Sequence, residues 1–382
     1  MKKGNAVIFF PNHHLAYSPT TINLYNELDK LYHVEIVAPN PSKFNNQKLE
    51  GYIVSYYEDE PPTLYTKIIG ILLYILAKLI YFIISKPNPY SYITIKNWLK
   101  LKKEFVKRSK NKYDVVVAVD IPFLKIASLY FNKIVFVSLE IIDNLIPLLK
   151  SVNKEKIEAV IIQSDERFNY LFEKEKPRKF IIQNSLNNTI EELNINKVNN
   201  GIIYSGTFMQ SFGAYYFLDF LNIYKNVIKG YIKGAILDKD KERINTQYID
   251  LINNNTLIIN NEYMSNDELI KYVSQFMVGI CFYDIENIKE NRFNYLSAPS
   301  GKMFTYIAAG IPIIGSKISG LNIVDDYKCG ILIENYSPDT IFNAYQDIIN
   351  NYQTYSNNCL KASADFNFSK MAIEFMRYLN EK

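Results

Sequence analysis

Hydrophobic and polar positions alternate along the chain in a way that predicts strands followed by helices. In the N-terminal half, short apolar runs rich in β-branched residues are separated by longer amphipathic stretches, an order typical of a parallel sheet with helical crossovers. The run 113–119 (YDVVVAV) is apolar at nearly every position, as expected for a strand buried on both faces. The other strands predicted in this half are 6–10, 33–38, 51–56, 133–139, 157–163 and 180–183, and helices are predicted over 20–31 and 165–173.

The same alternation begins again after residue 200. Helices are predicted over 266–275, 302–309 and 369–379, and the polar, Asn-rich stretch 186–200 predicts a linker between the two halves. A chain of 382 residues exceeds the size at which single cores stop growing, about 250–300 residues. Two doubly wound α/β domains are therefore expected. The strands predicted in the second half are 202–205, 229–236, 256–259, 278–282, 312–315 and 330–333.

The stretch 67–86 (KIIGILLYILAKLIYFIISK) is the most apolar part of the chain and has three competing interpretations. The stretch is nearly long enough to form a membrane-spanning helix, but such a helix would interrupt an otherwise regular α/β domain. A buried core helix and a helix lying on a membrane surface are the alternatives. The flanking lysines and tyrosines, and a basic run, favour the membrane surface. The basic run consists of Lys96, Lys100, Lys102, Lys103, Lys107, Arg108, Lys110 and Lys112.

Composition and charge narrow the functional classes. Hydrophobic residues make up 48% of the chain and charged residues 21%, which is a globular composition rather than a disordered one. The formal net charge of +4 is small for a nucleic-acid-binding protein, so no nucleic-acid partner is expected. Three widely separated cysteines argue against a disulfide framework and a zinc site, and they fit a reducing cytoplasm. The apolar run 6–11 is too short for a signal sequence and is better explained as the first strand.

Four segments of the second half resemble the retaining GT-B glycosyltransferases of family 4 and their relatives. The segment 201–208 (GIIYSGTF) is similar to the first strand and glycine turn of the donor domain, and 262–283 to its nucleobase loop, helix and strand. The segment 297–316 (SAPSGKMFTYIAAGIPIIGS) resembles the donor-binding motif S-P-x-K-x-x-E-Y-x-A-x-G-x-P-V. The segment 320–334 is similar to the following turn and strand. The resemblance covers about 160 residues.

This resemblance implies a fold and a domain division. The fold is GT-B, in which two Rossmann-like, doubly wound parallel-sheet domains face each other across an interdomain cleft. Ligands of such sheets lie beyond the carboxyl ends of the strands, so the chemistry is expected in that cleft. The N-terminal acceptor domain would span 1–185 and the nucleotide-sugar domain 201–365. The last segment, 366–382, would form a helix that crosses back to the N-terminal domain.

The donor-binding residues are expected around the start of the helix predicted at 302–309. Free amides at a helix N-terminus suit a diphosphate, Gly301 permits close approach of the backbone, and Lys302 adds a positive charge. A plain helix cap is the alternative role for this turn. The residues expected to bind the donor, partly by resemblance, are Gly206, Thr207, Tyr263, Met264, Ser300, Gly301, Lys302 and Thr305.

The chain departs from the motif at two positions. Thr305 stands where relatives carry the glutamate that grips the ribose hydroxyls, and Ser297 stands where they carry a second glutamate. A threonine can make one hydrogen bond to a ribose hydroxyl, but it cannot make the bidentate contact of a carboxylate. Glu334 or a carboxylate within 284–290 are candidate substitutes. The departures leave the nucleotide, and the choice between retention and inversion, open.

Four residues after strands of the first half are candidate catalytic groups. His13 and His14 follow the first strand, and a histidine there is suited to bind a phosphate or to act as a general base. Asp120 follows 113–119, where relatives often carry an acceptor-side polar residue, and Glu140 follows 133–139, where many relatives carry a His-Glu pair. The competing interpretation is that these side chains cap loops or lie on the surface.

The resemblance predicts a metal-independent, retaining transferase without a cofactor. The donor would be a nucleotide sugar and the acceptor a glycan or lipid-linked glycan, in the synthesis of a bacterial capsule, lipopolysaccharide or exopolysaccharide. The protein would act in the cytoplasm, with the inner face of the membrane as a candidate surface. The alternatives are a GT-B epimerase or phosphorylase and a non-catalytic subunit that binds nucleotide sugars or glycans.

Overall fold

The computed structural model describes residues 2–41, 47–57, 103–173, 177–190 and 196–381. The apolar stretch 67–86 lies outside these residues, as does the first part of the basic run. Within the described residues, no helix has both the length and the apolar composition needed to cross a membrane. Contacts divide the chain into two units, Met1–Phe180 with Met376–Lys382, and Ile181–Phe375.

The first unit contains a seven-stranded sheet with the order β3-β2-β1-β4-β5-β6-β7. The pairings from β3 through β6 are parallel, as the sequence predicts. The strands are β1 Gly4–Phe9, β2 Tyr32–Pro39, β3 Val54–Tyr57, β4 Val115–Val119, β5 Ile134–Val137, β6 Ile157–Ile162 and β7 Lys179–Ile181. The helices are α1 Pro19–Asp29, α2 at 103–109, α3 Asp120–Tyr130, α4 Ile146–Lys150 and α5 Asp165–Leu171.

One residue of the basic run has a structural role in this unit. Arg108 of α2 is buried, and its guanidinium forms ion pairs with Glu35, 2.7 Å away, and with Glu104. The same helix packs Phe105 against Phe9 of β1, with ring centroids 3.9 Å apart. Arg108 therefore anchors α2 to the sheet instead of contributing to a solvated basic surface.

The second unit contains a six-stranded parallel sheet with the order β10-β9-β8-β11-β12-β13. The strands are β8 Gly201–Ser205, β9 Lys229–Lys233, β10 Leu257–Asn260, β11 Val278–Cys281, β12 Ile313–Ser316 and β13 Gly330–Ile333. The helices are α6 Ala214–Ile223, α7 Asp238–Gln247, α8 Ile249–Asn253, α9 Asn266–Val273, α10 Arg292–Ser297, α11 Gly301–Ala308, α12 Asn322–Tyr327, α13 Pro338–Asn350 and α14 Tyr352–Asp365. The last helix, α15 Phe368–Asn380, begins in the second unit, and its residues from Met376 belong to the first.

Each strand predicted from the hydrophobic pattern is present, with ends displaced by a few residues. In the second sheet, alternate residues of β8 enter separate cores, because successive side chains of a strand point to opposite faces. Ile202 and Tyr204 pack into one core and Ile203 into the other. Both sheets reverse their strand order beside their first strand, between β1 and β4 and between β8 and β11. Such a reversal opens a crevice at the carboxyl ends of the strands, where ligands of doubly wound folds bind.

Candidate functional site

Helix α11 is held over the strand reversal of the second sheet by Tyr306. The Tyr306 ring is fully buried and packs on Gly279 of β11, where a Cβ atom would lie only 2.5 Å from the ring. Its hydroxyl accepts a hydrogen bond from the Ser205 amide at 2.8 Å and lies 3.0 Å from the Ile280 carbonyl oxygen. These contacts tie the helix to β8 and β11 together, so its first turn lies next to the carboxyl end of β8.

The backbone that follows β8 is shaped by two glycines. Gly206 has φ +117° and Gly234, after β9, has φ +144°, both in the region that favours glycine. A Cβ atom on Gly234 would lie 2.2 Å from the carbonyl oxygen of Gly206. The two turns therefore touch each other through their main chains, and a side chain at Gly234 would clash with the backbone of Gly206.

Lys302 lies directly beside Gly206. A Cβ atom on Gly206 would lie 3.1 Å from Cε and 3.3 Å from Cγ of Lys302. The Lys302 ammonium donates a hydrogen bond to Tyr204 Oη at 2.9 Å, and it lies 4.2 Å and 4.6 Å from the ring centroids of Tyr204 and Phe212. Desolvation in this aromatic environment lowers the pKa of Lys302 to about 8. We call Gly206, Lys302 and the first turn of α11 the β8–α11 site.

The first turn of α11 begins at Gly301, one residue before the predicted start at 302. Ser300 is the N-cap, but its side chain makes no capping hydrogen bond, and no acidic residue occupies the first turn. Helix geometry leaves the first amides without partners inside the helix, and the helix dipole adds partial positive charge there. The side-chain nitrogen of Asn184, Nδ2, lies close to Gly301: it would be 3.2 Å from a Cβ atom added there. The β8–α11 site thus combines an ammonium, the partial positive charge of a helix N-terminus and a glycine main chain, a combination that suits an anion.

The two residues that replace the glutamates of the motif are hydrogen-bonded within their own helices. The hydroxyl of Thr305 donates to the carbonyl of Gly301 at 3.1 Å, and that of Ser297 donates to the carbonyl of Phe293 at 2.7 Å. Both residues are buried. Thr305 therefore lies on α11 one turn from the site, but its hydroxyl is directed to the helix backbone.

The suggested substitute carboxylates differ in their surroundings. Asp284 is buried just after β11, and it accepts hydrogen bonds from Tyr216 at 2.8 Å and from Asn287 at 2.9 Å. Glu334 is exposed and lies 3.7 Å from the ammonium of Lys317. Asp284 serves as a structural acceptor, whereas Glu334 remains accessible.

Tyr263 and Met264 lie in a loop, residues 261–264, that connects β10 with α9. Tyr263 is 40% exposed and Met264 is half-buried. The loop is followed by a capping box, in which Ser265 and Glu268 bond each other's main-chain amides. Thr207 is exposed, and its carbonyl oxygen lies 3.1 Å from Tyr204 Oη.

Two residues near the β8–α11 site were missed by the sequence prediction. Tyr204 contacts Lys302, as described above. Lys233, the last residue of β9, is only 5% exposed, and its ammonium donates hydrogen bonds to the carbonyl of Glu262 and to Asn260 Oδ1. Burial lowers the pKa of Lys233. A charged residue at the end of a buried strand, directly before a glycine, was the signal that could have identified it.

In the first unit, Asp120 and Glu140 are brought together after β4 and β5. Asp120 has φ +58°, an uncommon conformation for a residue other than glycine. Its Oδ1 accepts hydrogen bonds from the amides of Leu139 and Glu140 at 2.8 and 2.9 Å. Burial, with the nearby Glu140 carboxylate, raises the pKa of Asp120 to about 7. Arg167, fully buried on α5, was also missed from the sequence, and it donates to the carbonyl of Leu139 at 2.8 Å.

The two histidines follow β1, on the other side of the strand reversal from Asp120. His13 Nδ1 lies 2.7 Å from the carbonyl oxygen of Asn40, so this nitrogen must carry a proton and donate it. His14 contacts the edge of the Phe10 ring, with centroids 6.3 Å apart. Burial, together with the adjacent His13, lowers the pKa of His14. His14 is therefore neutral at pH 7 and able to accept a proton.

No protein-family model matches the chain, and no curated protein matches it by sequence. Solved structures do match over its whole length. Anabaena HepE in complex with UDP is 12% identical, with a TM-score of 0.64 and 100% of both chains covered. The α,α-trehalose 6-phosphate synthase of Burkholderia multivorans is 10% identical, with a TM-score of 0.62 and coverage of 100% of this chain and 99% of that one.

A third structure shares less of its length with this chain. The pneumococcal O-GlcNAc transferase GtfA, in complex with UDP and GlcNAc, is 12% identical with a TM-score of 0.56. The match covers 74% of this chain and 59% of that one. At these identities the likeness is one of architecture. The two parallel sheets with reversed strand order, and the structures that share them, show that the chain has the GT-B fold.

Proposed function

We propose that this protein is a glycosyltransferase that takes a sugar from a nucleotide donor bound at the β8–α11 site. The observation that carries the proposal is the contact between Lys302 and Gly206 at the strand reversal of the second sheet, beside the start of α11. An ammonium, a glycine main chain and a helix N-terminus together suit a diphosphate. In the same fold, HepE has been solved with UDP and with UDP-glucose, which supports a uridine diphosphate sugar as the first candidate donor.

The chemical role of this site follows from where charge develops. When the bond from the anomeric carbon to the diphosphate breaks, negative charge accumulates on the leaving group. Lys302 and the first amides of α11 would stabilise that charge from fixed positions, without reorganising during the reaction. This stabilisation requires no metal ion. The Tyr263 and Met264 side chains of the 261–264 loop would contact the nucleobase.

Two routes for the acceptor proton are compatible with these residues. In a retaining reaction the leaving phosphate accepts the proton of the acceptor hydroxyl. In an inverting reaction Asp120 is the better base of the four candidates, because its pKa of about 7 lies close to the working pH. We favour retention, because of the resemblance of 297–316 to the retaining enzymes. The acceptor would be a glycan or lipid-linked glycan of a bacterial surface polysaccharide, used at the cytoplasmic face of the membrane.

The proposal is tested by nucleotide binding followed by turnover. A thermal-shift screen against UDP-, GDP-, ADP-, dTDP- and CMP-sugars identifies the nucleotide, since a ligand that binds only the folded state raises Tm. Lys302→Met should abolish the shift. Lys229→Met is the matched control, because Lys229 is an exposed lysine of the same unit, at the start of β9.

Turnover distinguishes the proposed activity from its rivals. The tightest-binding nucleotide sugar is incubated with and without a membrane extract that supplies lipid-linked acceptors. Sugar transfer that requires the extract supports the transferase. Epimerisation or hydrolysis without an acceptor would favour a GT-B epimerase, and tight binding without any turnover a non-catalytic subunit. Equal thermal shifts for wild type and Lys302→Met would reject the β8–α11 site as the donor site.

A further inference from the structure

Lys233 is the least expected buried charge of the second unit. The residue is only 5% exposed at the end of β9, the second strand from the edge of the sheet. Its hydrogen-bond partners are the carbonyl of Glu262 and the amide oxygen of Asn260. Burying an ammonium costs free energy that burying an apolar side chain of similar length would not. The nearby Glu262 carboxylate offsets part of this cost by favouring the charged form of Lys233. A lysine at this position is therefore not explained by packing of the core.

The main chain and the side chain of Lys233 contact two different parts of the unit. Its carbonyl oxygen accepts a hydrogen bond from the Gly206 amide at 2.8 Å, so its backbone belongs to the β8–α11 site. Its ammonium reaches in the other direction and holds Glu262, in the 261–264 loop. One residue thus links the proposed diphosphate site to the loop after β10.

Side-chain contacts fix the 261–264 loop from both of its ends. Asn260 Oδ1 accepts a hydrogen bond from the Glu262 amide at 3.0 Å, and the capping box fixes Ser265 at the start of α9. Lys233 adds a contact from the neighbouring strand, β9. Between these fixed points the loop presents Tyr263, which is 40% exposed. A loop that is ordered before the ligand arrives costs less entropy on binding than one that must be ordered by it.

We propose that Lys233 is a positioning residue for the nucleobase: it holds the 261–264 loop in place next to the diphosphate site, and so determines how much the base adds to donor affinity. This inference rests on the proposed function. It separates two contributions to binding, one from the diphosphate at Lys302 and one from the base at the loop held by Lys233.

The test compares a nucleoside diphosphate with inorganic pyrophosphate, which lacks the base. The nucleotide is whichever of UDP, GDP, ADP and dTDP binds wild type most tightly, measured by calorimetry, and pyrophosphate is measured by displacement of that nucleotide. Lys233→Met should weaken the nucleotide by about tenfold or more and change pyrophosphate by less than about twofold. Lys302→Met should weaken both ligands. Lys229→Met, an exposed lysine of the same strand, should change neither.

Two further variants distinguish loss of the Lys233 contact from a general folding defect. Lys233→Arg keeps the charge and the donor and should recover part of the lost nucleotide affinity. Tyr263→Ala, at an exposed position, should reproduce the selective loss, and combining it with Lys233→Met should add little, because both changes remove the same contribution. An equal loss of nucleotide and pyrophosphate in Lys233→Met, or no loss of either, would overturn the inference. If wild type binds no nucleotide at all, the proposed function itself fails.

Discussion

The ammonium of Lys302 donates a hydrogen bond to Tyr204 Oη, 2.9 Å away, although 98 residues separate the two in the sequence. The phenol hydrogen has its own acceptors, the carbonyl oxygens of Thr207 at 3.1 Å and Phe212 at 3.2 Å. Tyr204 therefore presents a lone pair to the ammonium and its ring to the same charge. This contact stabilises protonated Lys302, but desolvation is larger and lowers the pKa to about 8.

A pH dependence of donor binding follows from this pKa. A diphosphate binds protonated Lys302 better than neutral Lys302, so binding raises the pKa of this lysine. Above about pH 8, Lys302 is therefore mostly neutral in the free protein and still protonated in the complex. Affinity should be nearly constant between about pH 7 and 8 and then fall by up to about tenfold per pH unit. Calorimetry of the bound nucleotide across this range measures the slope.

The neighbouring groups and a matched variant show whether Lys302 is the group that titrates. The groups near Lys302 are the hydroxyls of Tyr204 and Tyr306 and the thiol of Cys281, and burial raises the pKa of each, so they stay neutral in this range. Lys302→Arg keeps its charge at every pH used, and its affinity should not decline. A decline of the same size in Lys302→Arg would assign the titration to another group.

Replacing Gly206 by alanine should disrupt the same site from the main chain. The alanine would have to adopt φ +117°, and its Cβ atom would lie 3.1 Å from Cε of Lys302. We expect the backbone strain to cost about 1–3 kcal/mol of stability and nucleotide affinity to fall by at least about tenfold, because the lysine is displaced. Chemical denaturation and calorimetry measure the two effects separately.

Gly51→Ala is the matched control for Gly206→Ala. Gly51 also has a positive φ, +80°, but a Cβ atom there would meet no atom within 4 Å. This variant should lose stability through backbone strain while keeping nucleotide affinity. Unchanged affinity in Gly206→Ala would show that the glycine turn does not approach the ligand.

The sequence predicts the β8–α11 site because its signals are local. A serine, a glycine and a lysine precede an amphipathic run, and helix chemistry then fixes where Lys302 stands. Tyr204 and Lys233 could not be assigned in the same way, since a strand pattern says only which face a residue occupies. Their partners, Lys302 and Glu262, are brought to them by separate crossovers. The positive φ of Asp120 could not be predicted either, because the sequence has no glycine at that turn to indicate it.

Asp120→Asn should separate catalysis from folding. Asparagine tolerates a positive φ and keeps an oxygen for the Leu139 and Glu140 amides. Since the pKa of Asp120 is raised to about 7, the folded protein binds more protons than the unfolded one between about pH 4 and 7. Wild-type stability should therefore fall as pH rises through this window, and Asp120→Asn should reduce that fall.

Kinetics decide whether this carboxylate is also the base. If it takes the acceptor proton, Asp120→Asn should lower turnover by about 100-fold or more while nucleotide affinity stays unchanged. Asp143→Asn is the control, because Asp143 is an exposed carboxylate of the same unit bonded to Tyr170. If Asp120→Asn turns over as fast as wild type, Asp120 is not the base, and the leaving phosphate of a retaining reaction is the remaining proton acceptor.

The histidines after β1 provide the last prediction. His14 has a lowered pKa and is neutral at pH 7, whereas His13 is fixed by its hydrogen bond to Asn40. We expect His13→Ala and His14→Ala to impair transfer, through the position of the loop after β1 in the first case and through loss of a proton acceptor or phosphate contact in the second. His33→Ala, at an exposed position on β2, should leave transfer unchanged. Steady-state kinetics of the three variants make the comparison, and equal activities would remove both loop histidines from the mechanism.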